Sequence, residues 1–201
     1  MAIATAIVGL GYTPYYRRGR SHPQTLDELV GRAILGACDD AGLQAREIDG
    51  FAYFAGGFDT GLLCETLGVE EVRFSATLTG TGGGSAGCIG LAAMAVASGQ
   101  ASTVVCVGGN QQGAQRFGAI TASYDPTPEN AFFGATGLVG PAHLFALLAR
   151  RHMHLYGTTR DDFAAVALAL REHALTHPDA TLRKPLSLAD YHAAPMIADP
   201  H

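Results

Sequence analysis

The stretch of this chain best suited to chemistry is Thr77-Leu-Thr-Gly-Thr-Gly-Gly-Gly-Ser-Ala-Gly87. It follows a short apolar run and precedes a helix of small residues, Cys88-Ile-Gly-Leu-Ala-Ala-Met-Ala-Val-Ala97, which stops at Ser98-Gly99. Glycine lets backbone approach a ligand closely because no Cβ stands in the way. The first N–H groups of a helix lack intrahelical acceptors, so they can hold an anion or a developing oxyanion. Gly82, Gly83, Gly84 and Ser85 are the candidate substrate-binding residues of such an elbow. The same residues also suit a tight strand-to-helix turn packed into a core. The stretch is neither of the two familiar glycine loops for nucleotide phosphates. No acidic residue follows about 20 residues on, at the end of a next strand, and no Gly-Lys-Ser/Thr follows.

Other reactive side chains are scattered. His143, His152 and His154 share one predicted helix. The first and last lie about three turns apart and cannot ligate one metal, while His152 and His154 point to different faces. No metal site is read. Cys38, Cys64, Cys88 and Cys106 show no CxxC spacing and read as reduced, mostly buried thiols. Tyr124 is the best local phenol for acid/base work, although no spacing supports it. Phe132 and Phe133 either line an apolar channel or form a local cluster.

The elements that must position these residues alternate. Residues 3–9, 48–54, 74–78 and 103–107 read as strands. Thr25 or Asp27 caps a helix reaching residue 39 or 40, with Leu26, Leu29, Val30, Ala33, Ile34 and Ala37 at helical spacing and Gly42 at its end. A short helix spans 60–68. The pattern predicts a layered α/β fold, and ligands of such sheets sit at strand C-termini, where the elbow lies. The 103–107 run is continuously apolar, as in a strand buried on both faces of a parallel or mixed sheet. From Asn110 the texture changes. Residues 111–140 are rich in Gly, Pro, Asn and Thr and read as a long loop, of the kind that is often functional. Helices are predicted at 142–155 and 161–173, with a helical turn at 188–192. The division is therefore an α/β core over 1–109 and a loop and helical region over 110–201.

The bulk numbers narrow the class. A composition of 48% hydrophobic and 15% charged residues, with 26 glycines, suits a well-packed α/β enzyme. The net charge of -5 argues against a nucleic-acid partner. No apolar run reaches the roughly 18 residues of a membrane span, and the N-terminus carries no basic region before an apolar one. A cytoplasmic location is expected.

With these segments in place the sequence resembles the thiolase superfamily, in the branch of sterol carrier protein x and lipid-transfer-protein enzymes. The likeness covers nearly the whole chain. Its carriers are the elbow with Ala95-Val-Ala-Ser-Gly-Gln-Ala101 and Val104-Val-Cys-Val-Gly-Gly109, then Phe133-Gly-Ala-Thr-Gly-Leu-Val-Gly-Pro141 with Leu147-Leu-Ala-Arg-Arg-His-Met-His-Leu-Tyr-Gly-Thr-Thr159, and finally Met196-Ile-Ala-Asp-Pro200. The resemblance implies a layered α/β/α half with a mixed central sheet and an inserted helical loop region. It implies an acyl-CoA substrate, with coenzyme A as part of the substrate and no covalently bound cofactor. It also implies a homodimer pairing through the strand at 74–78, and a zinc-ribbon/OB-fold partner protein. Arg150, Arg151, Arg183 and Lys184 are then candidates for the coenzyme phosphates, or simply members of solvated, salt-bridged faces.

Two departures shape the chemistry. Ordinary thiolases carry a nucleophilic Cys at the start of the elbow helix, and the corresponding position here is Gly82. Cys88 lies six residues later and reads as a packing residue. Glycine cannot form an acyl-enzyme, and this resembles the aldolases that shorten steroid side chains by retro-aldol cleavage of a β-hydroxyacyl-CoA. The second departure is length: a thiolase subunit has two similar halves, and this chain resembles the N-terminal one. Catalytic acid/base residues are expected in the second half, on this polypeptide or on a second chain. The alternatives are an acyl-CoA thiolase or acyltransferase using Cys88, and a non-catalytic half-domain that binds acyl-CoA or a partner.

Overall fold

A computed structural model describes residues 4–54, 57–79, 82–111, 128–138 and 140–200. The chain divides into two compact units, 1–113 and 114–201.

In the first unit, helix α1 spans Leu26–Ala41. Thr25 Oγ1 accepts the Glu28 N–H at 3.1 Å, and Asp27 and Glu28 place negative charge in the first turn, where the helix dipole favours it. Gly42 ends the helix in the left-handed region, at φ 69°. Thr25→Ala is expected to lower stability by about 1 kcal/mol, read as a shift in the urea midpoint at constant slope.

Three strands follow, β1 (Gly50–Phe54), β2 (Phe74–Leu78) and β3 (Val104–Gly108), with helices α2 (Thr60–Leu67) and α3 (Gly84–Ala97) between them. The sheet order is β2-β1-β3 and both pairings are parallel, with Phe51 opposite Ser75 and Val105. Strand alternation sorts the side chains to two faces. Phe51, Tyr53 and Val107 pack with Val30, Ile34 and Cys38 of α1 and Leu63 of α2. Ala52 packs with Cys88 and Ala92 of α3, flanked by Phe54, Phe74, Leu78 and Val104. The unit is thus an α/β/α sandwich.

Asp49 ties the starts of all three strands together. Its carboxylate accepts the N–H groups of Ser102 and Thr103 at 2.9 and 2.8 Å, ahead of β3. Its carbonyl accepts the Arg73 N–H at 2.8 Å, ahead of β2.

The second unit holds α4 (Pro128–Ala135), α5 (Pro141–Tyr156), α6 (Arg160–Thr176) and α7 (Leu188–Ala193). Gly157 closes α5 at φ 71°. The Asp162 carboxylate accepts both the N–H and the hydroxyl of Thr159, at 2.7 and 2.8 Å, which holds it below the usual carboxylate range and fixes the start of α6. Ser187 and Asp190 repeat the device at α7.

Three sequence expectations change. Residues 4–9 form no strand: they lie against α1 with no ladder partner among the described residues. The described strands are all parallel, so the mixed sheet is not seen among them. Part of the supposed 111–140 loop is helical, as α4.

Candidate functional site

β1 and β2 both end beside the elbow. Gly82 and Gly83 form the turn, and α3 begins at Gly84, four residues before the sequence placed it. The first bond along α3 runs from Gly87 N–H to Gly83 C=O at 3.0 Å, and among the described residues no side chain caps the helix. The N–H groups of Gly84, Ser85 and Ala86 therefore have no intrahelical acceptor. Gly82, Gly83, Ser85 and Ala86 are exposed, while Gly84 is buried.

The glycines divide into two kinds. A Cβ on Gly84 would lie 2.4 Å from two atoms of the Phe54 ring, and one on Gly87 would lie 2.3 Å from Leu78 Cδ2. These two are glycine because the ends of β1 and β2 press on the helix. A Cβ on Gly82 or Gly83 meets nothing within 4 Å among the described residues. The elbow is thus a packed turn on its inner side and an open backbone surface on its outer side. Such a surface can hold an oxyanion through N–H groups without any side chain.

Thiol chemistry is poorly served. Cys88 is 1% exposed and sealed under the sheet. Burial pushes the thiols of Cys38, Cys64 and Cys106 up, the opposite of what a nucleophilic cysteine needs. Cys106 is exposed, and its Sγ lies 3.6 Å from the Cys88 carbonyl. Burial also pushes up the phenol of Tyr53, which stacks between Phe51 and Phe58 on the side of the sheet away from α3.

The remaining candidates lie in the second unit. Phe132 and Phe133 meet edge to face at 5.9 Å and are 71% and 38% exposed. Arg150 pairs with Asp199 at 3.2 Å. Arg183 donates to the Pro178 carbonyl, and the Lys184 carbonyl accepts from Arg171. His152 Nδ1 lies 2.9 Å from Thr158 Oγ1. Tyr124 falls outside the described residues. Sequence reasoning missed the His192–Asp161 pair, at 2.7 Å, because its members are 31 residues apart and no spacing signals them. Among the described residues no group of three or more His, Cys, Asp or Glu side chains is placed to hold a metal. Nor, among them, is any helix long and apolar enough to cross a membrane.

Comparison with known proteins fits this geometry. No protein-family model matches the chain. The 17-hydroxy-3-oxo-4-pregnene-20-carboxyl-CoA lyase of Mycobacterium tuberculosis is 36% identical over 97% of this chain and 52% of its own length. The steroid side-chain-cleaving aldolase of Thermomonospora curvata is 35% identical over 98% of this chain and 52% of its own. A solved Ltp2-ChsH2(DUF35) aldolase superposes with a TM-score of 0.84 at 32% identity, over 97% of this chain and 50% of the other. The chain spans about half the length of the curated relatives it matches. In sequence and in fold it resembles about half of each of these lyases and aldolases.

Proposed function

We propose that this chain is the N-terminal half of a thiolase-like aldolase that cleaves a β-hydroxyacyl-CoA in steroid or lipid side-chain degradation. The observation that carries the reading is the 36% and 35% identity to two steroid-cleaving enzymes across almost the whole chain. A glycine at 82, where a nucleophilic thiolase has cysteine, agrees with it.

The reaction takes the proton from the β-hydroxyl, breaks the Cα–Cβ bond and passes the electron pair into the thioester as an enolate. Protonation at Cα then gives a shortened acyl-CoA, and the former β-carbon becomes a carbonyl. Coenzyme A enters as part of the substrate. The exposed N–H groups of the elbow stabilise the enolate oxygen, with Gly82 and Gly83 giving the thioester room to approach and Ser85 at the rim. The other substrate candidates, Phe132 and Phe133, form an exposed apolar pair within the second unit. The base and acid come from the second half, on the same polypeptide or on a second chain.

Assembly follows the same reading, in the cytoplasm. β2 is an outer strand with one edge unpaired among the described residues, and its side chains alternate between half-buried and exposed. Pairing of two β2 strands makes a homodimer, and a zinc-ribbon/OB-fold protein joins as partner. The working division remains a core over 1–109 and a loop and helical region over 110–201. Light scattering should show two copies of this chain per complex once the second half is present. A strictly monomeric profile would sink the dimer.

The test of function is co-expression with the part of the Mycobacterium tuberculosis relative that this chain does not cover. Mass spectrometry then follows the CoA thioester named for that relative. Turnover is expected with the complex and not with the chain alone. An intact thioester in the presence of a well-formed complex rejects the aldolase reading.

A further inference from the structure

The loop ahead of α1 is electrically unlike the rest of the chain. The net charge is -5, yet residues 1–26 contain no Asp or Glu. They do contain Arg17, Arg18 and Arg20. The Arg20 N–H donates to the Arg17 carbonyl at 2.8 Å and closes a turn, and Gly19 at φ 71° supplies its left-handed residue. Such a turn brings the Cα atoms of its ends within about 7 Å, so the three guanidiniums spring from one place. All three residues are exposed, and among the described residues neither Arg18 nor Arg20 has a carboxylate partner. Like charges gathered in this way repel, and an anion set among them removes that cost.

Beside the turn lies a hollow of about 340 Å³, walled by Thr13, Tyr15, Tyr16, Arg17, Arg18 and Asn110, with no carboxylate on its wall among the described residues. The rings of Tyr12 and Tyr15 stack at 6.3 Å with their planes 9° apart. Tyr15 remains 61% exposed, so its ring keeps a face for a flat partner. The loop is moored to the segment that leaves β3. Gln111 Nε2 donates to Ser21 Oγ at 3.1 Å and to the Gln24 carbonyl at 2.6 Å, and Ser21 is buried. This is the end of the sheet at which the elbow lies. Phe54 links the two: a Cβ on Gly84 of the elbow would meet one edge of its ring, and a Cβ on Gly108 would lie 3.7 Å from the other edge.

We propose that residues 12–20 cradle the 3′-phospho-ADP end of coenzyme A, an inference that rests on the acyl-CoA part of the function proposed above. The lengths agree. From β2 to β3 is two strand spacings, roughly 10 Å, and the two residues from Gly108 to Asn110 add up to roughly 7 Å. The pantetheine arm runs about thirteen bonds from sulfur to phosphorus, and at ~3.5 Å for every three bonds of extended chain it reaches roughly 15 Å. A thioester held at the elbow thus delivers its phosphates to the arginine turn. Guanidinium forks match phosphate oxygens two at a time, and the adenine stacks on the open face of Tyr15. An acidic peptide would answer the charge but leave that ring face and the hollow unfilled. The cations of the second unit are engaged elsewhere, Arg150 with Asp199 and Arg183 with the Pro178 carbonyl.

The test is calorimetric titration of the full chain with coenzyme A, with dephospho-coenzyme A, which lacks the 3′-phosphate, and with pantetheine. Coenzyme A should bind about tenfold more tightly than the dephospho form, since one charge-assisted contact is lost, and pantetheine should bind weakest. The double variant Arg18→Ala, Arg20→Ala should lose about tenfold or more in coenzyme A affinity and nothing in pantetheine affinity. Arg32→Ala, an exposed arginine of α1 paired with Glu28, should change neither. Circular dichroism confirms that each variant is folded, and the comparison of the three ligands on the unaltered chain needs no variant. The inference is overturned if coenzyme A does not bind, if the dephospho form binds equally well, or if the double variant behaves like Arg32→Ala. It is equally overturned if inorganic phosphate or a hexaglutamate peptide displaces coenzyme A at equal concentration, since the turn is then a general anion site or a docking surface for an acidic partner. Failure of the aldolase reading looks different. An intact thioester in the complex, with this ligand order preserved, rejects that reading and keeps the cradle, whereas turnover with a KM untouched by the double variant keeps the reading and rejects the cradle.

Discussion

Gly84→Val is expected to destabilise the first unit by about 2–3 kcal/mol, whereas Gly82→Cys, two residues away, should change stability by no more than about 0.5 kcal/mol. The contrast comes from what each new Cβ meets. At position 84 it enters the Phe54 ring, 2.4 Å from two of its carbons. The ring belongs to the cluster of Ala52, Cys88 and Ala92, so it moves only by opening that cluster. At position 82 there is open space among the described residues. The new cysteine would sit just ahead of an uncapped helix N-terminus, which lowers a thiol pKa. It should react with maleimide faster than Cys38, Cys64 or Cys106, whose thiols burial pushes the other way. Urea titration by circular dichroism and peptide mapping of the label measure both. Equal stabilities for the two variants would mean that the elbow is not divided into packed and open sides.

Asp49→Ala should cost about 3 kcal/mol, the scale of losing hydrogen bonds to a charged acceptor. Its carboxylate is the acceptor for the N–H groups of Ser102 and Thr103, and Asp49 Oδ2 also lies 3.8 Å from the Arg73 guanidinium. Alanine removes all of these while leaving the backbone bond to Arg73 in place. An asparagine amide keeps one acceptor oxygen, so Asp49→Asn should lose only part of this. A loss below about 1 kcal/mol for the alanine variant, read from the same urea titration, would show that water replaces the carboxylate readily and that the strand starts are held mainly by the ladder.

Local signals read well from sequence because their partners are local. The limits of β2 coincide with the predicted strand, and Thr25 and Gly42 bound α1 as their chemistry requires. The helix starting at Gly84 was less legible. Gly84 and Gly87 are poor helix formers, and the reason they are helical is the packing of Phe54 and Leu78 from other strands. Asp49 carried no signal because its acceptor role is met 53 and 54 residues away. Residues 4–9 have the composition of a strand, but a strand is defined by its partner, and none is in place among the described residues. The glycine-rich, proline-rich setting of α4 likewise hid the short helix that presents Phe132 and Phe133. At the elbow the residue types were legible, and which glycines face packing and which face open space was not.

The Asp49 clamp sits at the start of β1, and Phe54, which presses on the elbow, sits at its end. Five residue-to-residue steps along the strand separate them, roughly 17 Å. Sites this far apart with no shared partner combine additively. A double variant at Asp49 and at Gly82 should therefore show the sum of the two single effects. The two ends of one strand can diverge under separate selection, so that the open side of the elbow can be re-cut for a different acyl group without loosening the sheet that carries it.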